Sequence, residues 1–149
     1  MSAHRLDYLG LPPALETQIR RHSESQYPHE ACGAVLGSGD GVTSSWLATD
    51  VLPSPNEHDD DRTRRYLIPP EFQFRAEQRA REMNQDVVGY YHSHPDHPAL
   101  PSEYDRVHAW AGYVYIICSV EKGRSADVGA FALDEQGGQF QPVGIRREE

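Results

Sequence analysis

The sequence is poor in cysteine and has none of the paired thiols that bind metals or exchange disulfides. Its two cysteines, Cys32 and Cys118, are far apart in the chain, and each lies in an apolar segment. Neither belongs to a Cys-x-x-Cys motif, which excludes thiolate zinc sites and the thioredoxin-type redox motif. We therefore predict two buried free thiols rather than a disulfide.

Long apolar segments are also absent. The longest, from Ala109 to Cys118, is about half of the roughly 20 residues that a membrane-spanning helix needs. The first residues lack the continuous apolar stretch and the small-residue cleavage site of a secretory signal. The sequence therefore predicts a cytoplasmic protein that does not engage a membrane.

Positive charge is scarce as well. The chain has 14 lysines and arginines against 23 aspartates and glutamates, which gives a formal net charge of -9. Such a surface repels a phosphate backbone on average, so we predict no nucleic-acid partner.

The length and the hydrophobic periodicity predict one α/β domain. A chain of 149 residues without internal repeats is the size of a single domain, here residues 1–149. Helices are predicted over Pro13 to Gln26, from Pro69 to about Met83, and from Ser102 to about Trp110. Strands are predicted over 31–36, 42–52, 66–68, 86–92, 113–120, 127–133 and 139–145, with a mobile loop at 53–65. This order predicts a mixed, largely antiparallel sheet flanked by helices.

Two histidines and an aspartate form the clearest chemical motif. His92 and His94 are two residues apart at the end of a predicted strand, so both imidazoles project to the same side. Asp105 lies in the first turn of the third predicted helix, where the helix dipole favours a carboxylate. The three side chains together are a candidate metal site.

The composition of that site is typical of catalytic rather than structural zinc. Two histidines and one carboxylate leave a fourth tetrahedral position for water. A group that takes the proton of this water is also needed, and Glu30, just before an apolar strand, is our candidate. From the residues alone a second interpretation stays open, in which the histidines merely end a strand and Asp105 merely supports a helix terminus.

Three segments together resemble the JAMM, or MPN-plus, metalloprotease family in its stand-alone prokaryotic form. They are PHEACGAVLG at 28–37, VGYYHSHP at 88–95 and PSEYD at 101–105. The pattern of that family is a glutamate, then His-x-His-Pro, then Ser-x-x-Asp with ten residues between the second histidine and the aspartate. Residues 95–104 are those ten, and the resemblance covers nearly the whole chain.

The resemblance implies a cytidine-deaminase-like sandwich and a set of residue roles. It implies that His92, His94 and Asp105 bind Zn2+, and that Glu30 is the general acid/base acting through the zinc water. It also implies that the hydroxyl of Ser102 helps to hold the oxyanion, although the sequence alone makes Ser102 the N-cap of a helix.

The resemblance further implies hydrolysis of a peptide or isopeptide bond after the C-terminal tail of a ubiquitin-like protein. Prokaryotic members resemble enzymes that act on sulfur-carrier proteins with a Gly-Gly tail. Only seven residues separate Asp105 from Tyr113, which leaves no room for the second insertion of the eukaryotic deubiquitinating members and favours a compact carrier. The loop at 53–65 lies where the other insertion occurs, and either contacts substrate or is an ordinary surface loop.

The sequence leaves one alternative function open and excludes two others. The main alternative is a catalytically silent scaffold of the MPN type, which binds protein without metal. A zincin is excluded because His29-Glu30 is followed by Gly33 where His-Glu-x-x-His needs its second histidine. A nucleobase deaminase is excluded because the chain lacks Pro-Cys-x-x-Cys.

Overall fold

A computed structural model of the chain describes residues 6–39, 45–58, 61–134 and 138–147. Three helices lie within these residues: α1 (Pro13–Gln26), α2 (Pro70–Glu82) and α3 (Glu103–His108). Seven strands accompany them: β1 (Tyr8–Gly10), β2 (Cys32–Gly39), β3 (Ser45–Ser54), β4 (Asp86–Pro95), β5 (Val114–Glu121), β6 (Arg124–Leu133) and β7 (Phe140–Arg146). None of the helices in the described part of the chain is long and apolar enough to span a membrane.

The strands form one mixed sheet in the order β1-β3-β2-β4-β5-β6-β7, and this sheet closes on itself as a barrel. β1 closes it by pairing in parallel with both β3 and β7. β4 and β5 are parallel, and the four remaining neighbouring pairs are antiparallel. The predicted mixed α/β fold is confirmed, but the open sandwich must be corrected to a closed barrel. β1 was missed because three residues are too few to reveal an alternating pattern.

Helices cover both faces of the sheet, as predicted. Leu15 and Ile19 of α1 pack with Val35 and Tyr91 on one face. On the other face, Ala76 of α2 packs into a second cluster with Cys32, Ala34, Tyr90 and Tyr115. Successive residues of a strand enter opposite clusters because strand side chains alternate. Both cysteines are buried and free, as predicted.

The central strand β4 positions the candidate site. It is predicted to end at His92 but continues to Pro95, because its pairing with β5 extends to that residue. On one side it pairs with β2, where Cys32 lies opposite His92, and on the other it pairs with β5 as far as Pro95. Both histidines are therefore held by a strand that pairs with neighbours on both sides rather than by a loop.

The segment before α2 differs from its prediction. Tyr66 to Ile68 is predicted as a strand but belongs to no strand of the described residues. Its β-type composition instead reflects packing, because Ile68 is buried and Tyr66 packs against the same cluster as α2. In the predicted loop at 53–65, Ser54 still belongs to β3. Residues 59–60 of that loop and residues 42–44 of the strand predicted at 42–52 lie outside the described residues, as do residues 40–41 and 135–137.

Candidate metal centre

The three candidate ligands meet in one buried cluster that is suited to hold a metal ion. His92 Nε2 lies 3.1 Å from Asp105 Oδ1, and His94 Nε2 lies 3.0 Å from Asp105 Oδ2. The two Nε2 atoms are 3.2 Å apart. All three residues are buried: His92 is 1% exposed, His94 6% and Asp105 8%. The structure thus brings together the residues that the sequence spacing predicted.

The spacing of these donor atoms fits zinc. Ligand bonds of roughly 2.0 to 2.1 Å in a tetrahedral site place neighbouring donor atoms about 3.3 Å apart. The observed separations of 3.0 to 3.2 Å are close to that value. Both histidines direct the same nitrogen, Nε2, to the cluster. The donor set and its spacing therefore match a three-ligand site with a position left for water or substrate.

The charges of the cluster suit a cation. Burial alone would raise the pKa of Asp105, but the nearby His92 and hydrogen bonds from both histidines and from the Ser102 backbone hold it far below its usual range. Burial lowers the pKa of His92, which favours the neutral imidazole that a metal requires. Burial also acts to lower the pKa of His94, but the hydrogen bond and the charge of Asp105 outweigh it and raise that pKa.

Glu30 lies beside the cluster because of the pairing of β2 with β4. Ala31 donates its backbone N–H to Ser93 Oγ at 2.8 Å, and Ser93 donates its backbone N–H to Ala31 O at 3.0 Å. With Cys32 opposite His92 in an antiparallel pair, Glu30 falls alongside His94. These hydrogen bonds hold the residues just before β2 beside the end of β4, although the two segments are distant in sequence.

Glu30 is buried, and one oxygen of its carboxyl group lacks a hydrogen-bond partner among the described residues. The residue is 4% exposed, and the oxygen in question is Oε1. Burial is the main cause that raises the pKa of Glu30 to about 8. A bound cation would oppose this shift, because positive charge favours the carboxylate. An unpaired buried oxygen next to three metal-type ligands is the arrangement expected of a group that handles the proton of a water.

Ser102 performs the capping role that the sequence predicted. Its Oγ accepts a hydrogen bond from Asp105 N at 3.1 Å, and its backbone N–H donates to Asp105 Oδ2 at 2.9 Å, which completes a capping box. A hydroxyl has one donor hydrogen in addition to its two lone pairs. The cap uses a lone pair and leaves the hydrogen free, so capping and donation to a substrate oxygen are compatible.

An open cleft of about 620 Å³ gives access to the cluster. Glu30, His94 and Ser102 line it together, so the three proposed functions of base, ligand and oxyanion donor face one space. Arg64 and Arg65, from the predicted loop at 53–65, also line the cleft. Part of that loop therefore lies at the cleft.

Two nearby residues were not identified from the sequence. The ring of Tyr66 stacks on the ring of His92, with 4.5 Å between the ring centroids and 20° between the planes. Asn56 makes four hydrogen bonds that tie the segment before α2 to the backbone of Glu30. Neither residue stands at a recognisable spacing from the motif, because tertiary packing alone brings them to it.

Comparison with known proteins supports a shared origin for this arrangement. The family model described as prokaryotic homologs of the JAB domain matches residues 12–132, a segment that contains all five predicted site residues. A protein named desampylase from Haloferax volcanii is 38% identical over 106 residues, which cover 69% of this chain and 71% of that relative.

Solved structures resemble the whole domain. A solution structure of a protein from Desulfitobacterium hafniense matches with a TM-score of 0.80 and 26% identity, covering 95% of this chain and 93% of the other. A solution structure of a protein from Salinibacter ruber matches with a TM-score of 0.71 and 36% identity, covering 94% and 91% respectively.

Proposed function

Because the chain belongs to the family of prokaryotic homologs of the JAB domain, as its JAMM-like motifs predicted, we propose that it is a zinc-dependent peptidase or isopeptidase. Its proposed substrate is a ubiquitin-like or sulfur-carrier protein, cleaved at the bond after a C-terminal Gly-Gly tail. The observation that carries this proposal is the unpaired Oε1 of buried Glu30 beside the cluster of His92, His94 and Asp105.

In the proposed mechanism each residue has one task. Zinc would be held by His92, His94 and Asp105. It would act as a Lewis acid on the scissile carbonyl and would lower the pKa of water to about 7. Glu30 accepts the proton of the attacking water at its carboxylate and passes it to the leaving amine. The Ser102 hydroxyl donates its free hydrogen to the carbonyl oxygen as negative charge develops there.

Two features support a small protein carrier as the substrate. The cleft is open and partly lined by the segment that carries Arg64 and Arg65, so an extended polypeptide tail has room to enter. Between the end of α3 at His108 and the start of β5 at Val114 the chain makes only a short connection, which leaves no insertion to grip a larger partner. The similarity to the relative named desampylase supports the same class of reaction.

The proposal is tested with carriers of known sequence. The purified zinc-loaded protein is incubated with a ubiquitin-like carrier whose Gly-Gly tail bears a C-terminal extension, and the products are weighed by intact mass spectrometry. We expect a product that ends in Gly-Gly, no cleavage after treatment with a zinc chelator, and recovery when zinc is restored. A matched carrier with Val-Val in place of Gly-Gly should remain intact.

The same experiment separates the enzyme from the scaffold. A silent MPN-type scaffold leaves every carrier at its original mass. Uncleaved carriers in the presence of zinc-loaded protein would contradict the proposed substrate class, and a chain that binds no zinc would contradict the proposed chemistry.

A further inference from the structure

The two histidines of the cluster are held in different ways. His94 directs Nε2 into the cluster, and its Nδ1 lies 2.8 Å from the carbonyl oxygen of Pro98. His92 also directs Nε2 into the cluster, but its Nδ1 is buried and has no hydrogen-bond partner among the described residues. The His94 ring is thus held at both nitrogens, whereas the His92 ring is held only at Nε2 within the described part of the chain.

A ligating histidine usually donates its second N–H to a carboxylate, a carbonyl or water, which fixes the orientation of its ring. For His92, the ring of Tyr66 takes up the neighbouring space, stacked nearly parallel at 4.5 Å between centroids. Face-to-face contact prevents the imidazole from tilting out of its plane. The Tyr66 ring therefore restricts the orientation of the His92 ring, as the carbonyl oxygen of Pro98 does for His94.

The backbone around Tyr66 is itself fixed. The side chain of Asn56 donates to Arg65 O at 3.0 Å and accepts from Leu67 N at 3.0 Å, so the residues on both sides of Tyr66 are held by one amide. Ile68, two residues on, is buried in the cluster beneath α2. The backbone contacts therefore hold the Tyr66 ring in place where it packs against His92.

We propose that Tyr66 is a positioning residue for the metal centre, whose ring face orients His92 so that Nε2 points to the bound ion. This inference rests on the proposed role of His92 as a zinc ligand. It assigns the effect to the aromatic face and not to the tyrosine hydroxyl. Phenylalanine should therefore serve at this position, whereas an aliphatic side chain should not.

The test measures zinc affinity directly, by competition with a fluorescent chelator, in the full chain. Tyr66→Leu should weaken zinc binding by about 10-fold to 100-fold, the usual range for loss of a residue that supports a ligand. Tyr66→Phe should stay within about twofold of the parent on the same argument. Tyr66→Met, which keeps apolar bulk without a ring, should behave like Tyr66→Leu and serves as the second variant if Tyr66→Leu does not fold.

The matched control is Tyr113→Leu. Tyr66 and Tyr113 both line a second pocket of about 350 Å³. The ring of Tyr113 packs against Tyr90 rather than against a candidate ligand, so zinc affinity should be unchanged. Parent affinity in both ring-free variants would overturn the inference and leave the proposed function intact. Equal weakening in Tyr66→Phe and Tyr66→Leu would overturn it too, because the hydroxyl would then be responsible. A parent chain that binds no zinc would overturn both proposals.

Discussion

At the scale of single residues, the hydroxyl group of Ser102 has one observed role, the helix cap, and one proposed role, donation to the oxyanion. Its oxygen accepts from the backbone N–H of Asp105 and caps α3, and the residue lines the cleft that Glu30 and His94 also line. The cap matters to the site because it holds the first turn of α3, and Asp105 with it, against β4. Stability and catalysis should therefore respond differently to substitutions at this position.

We expect Ser102→Ala to lower the free energy of unfolding by about 1 kcal/mol, because the helix loses its cap. We expect Ser102→Gly to cost only a few tenths of a kcal/mol, because glycine is tolerated at a cap. Both variants should keep zinc and lose about 100-fold in kcat, since both lack the donor to the oxyanion. Urea unfolding and steady-state kinetics measure the two effects. A Ser102→Gly variant with the parental kcat would show that the hydroxyl only caps.

The residues of the centre differ in how far the sequence predicts them. The ligands are predictable because short spacings control their geometry: two residues along a strand for His92 and His94, and a capping box for Asp105. Spacing alone is a weak reason to choose Glu30 as the base. Its match to the glutamate of the family motif is the stronger reason. Tyr66 and Asn56 are not predictable, because they reach the site only through the folded path of the segment before α2.

At the scale of elements, the segment before α2 is hydrogen-bonded to the backbone of Glu30, the proposed base. Asn56 Nδ2 donates to Glu30 O at 3.1 Å and to Arg65 O at 3.0 Å, and its Oδ1 accepts from His58 N at 3.1 Å and from Leu67 N at 3.0 Å. Glu30 N also donates to Arg62 O at 2.6 Å. The position of Glu30 therefore depends on a segment of irregular structure.

We expect Asn56→Ala to lower the free energy of unfolding by about 2 kcal/mol, because several hydrogen bonds are lost and the carbonyl and amide groups they served lose their partners. Asn56→Asp keeps an acceptor for the two backbone N–H groups but turns a carboxylate oxygen toward the carbonyl oxygens of Glu30 and Arg65, so its loss should be at least as large. Urea unfolding of the two variants and the parent measures the difference. Unfolding free energies equal to that of the parent would show that the segment does not depend on this side chain.

Elements with a strong local signal are those that the sequence predicts well. α1 has the predicted bounds, Pro13–Gln26, because prolines precede it and buried residues recur at helical spacing. The errors arise where pairing is decided by distant residues. β1 is defined only by its contacts with β3 and β7. The segment from Tyr66 to Ile68 has strand-like residues but pairs with no strand in the part of the chain that the structure describes.

At the scale of the whole molecule, the closed sheet provides a rigid frame and the site lies where three elements meet. β4 supplies two candidate ligands, the first turn of α3 supplies the third, and Glu30, the proposed base, lies two residues before β2. Because β2 and β4 are hydrogen-bonded neighbours inside the barrel, their separation is fixed by the sheet and not by the metal. We therefore expect the apo protein to keep its fold, and metal loss to affect catalysis before it affects the barrel.

The most direct test of the central claim combines metal content with cleavage for the parent and two variants. The parent should carry about one zinc per chain, as expected of a site with three protein ligands. Glu30→Gln should keep that zinc and cleave the carrier about 100-fold to 10,000-fold more slowly, because it cannot move the proton, whereas Asp105→Ala should lose the zinc itself. Cleavage by zinc-loaded Glu30→Gln at the parental rate would contradict the account.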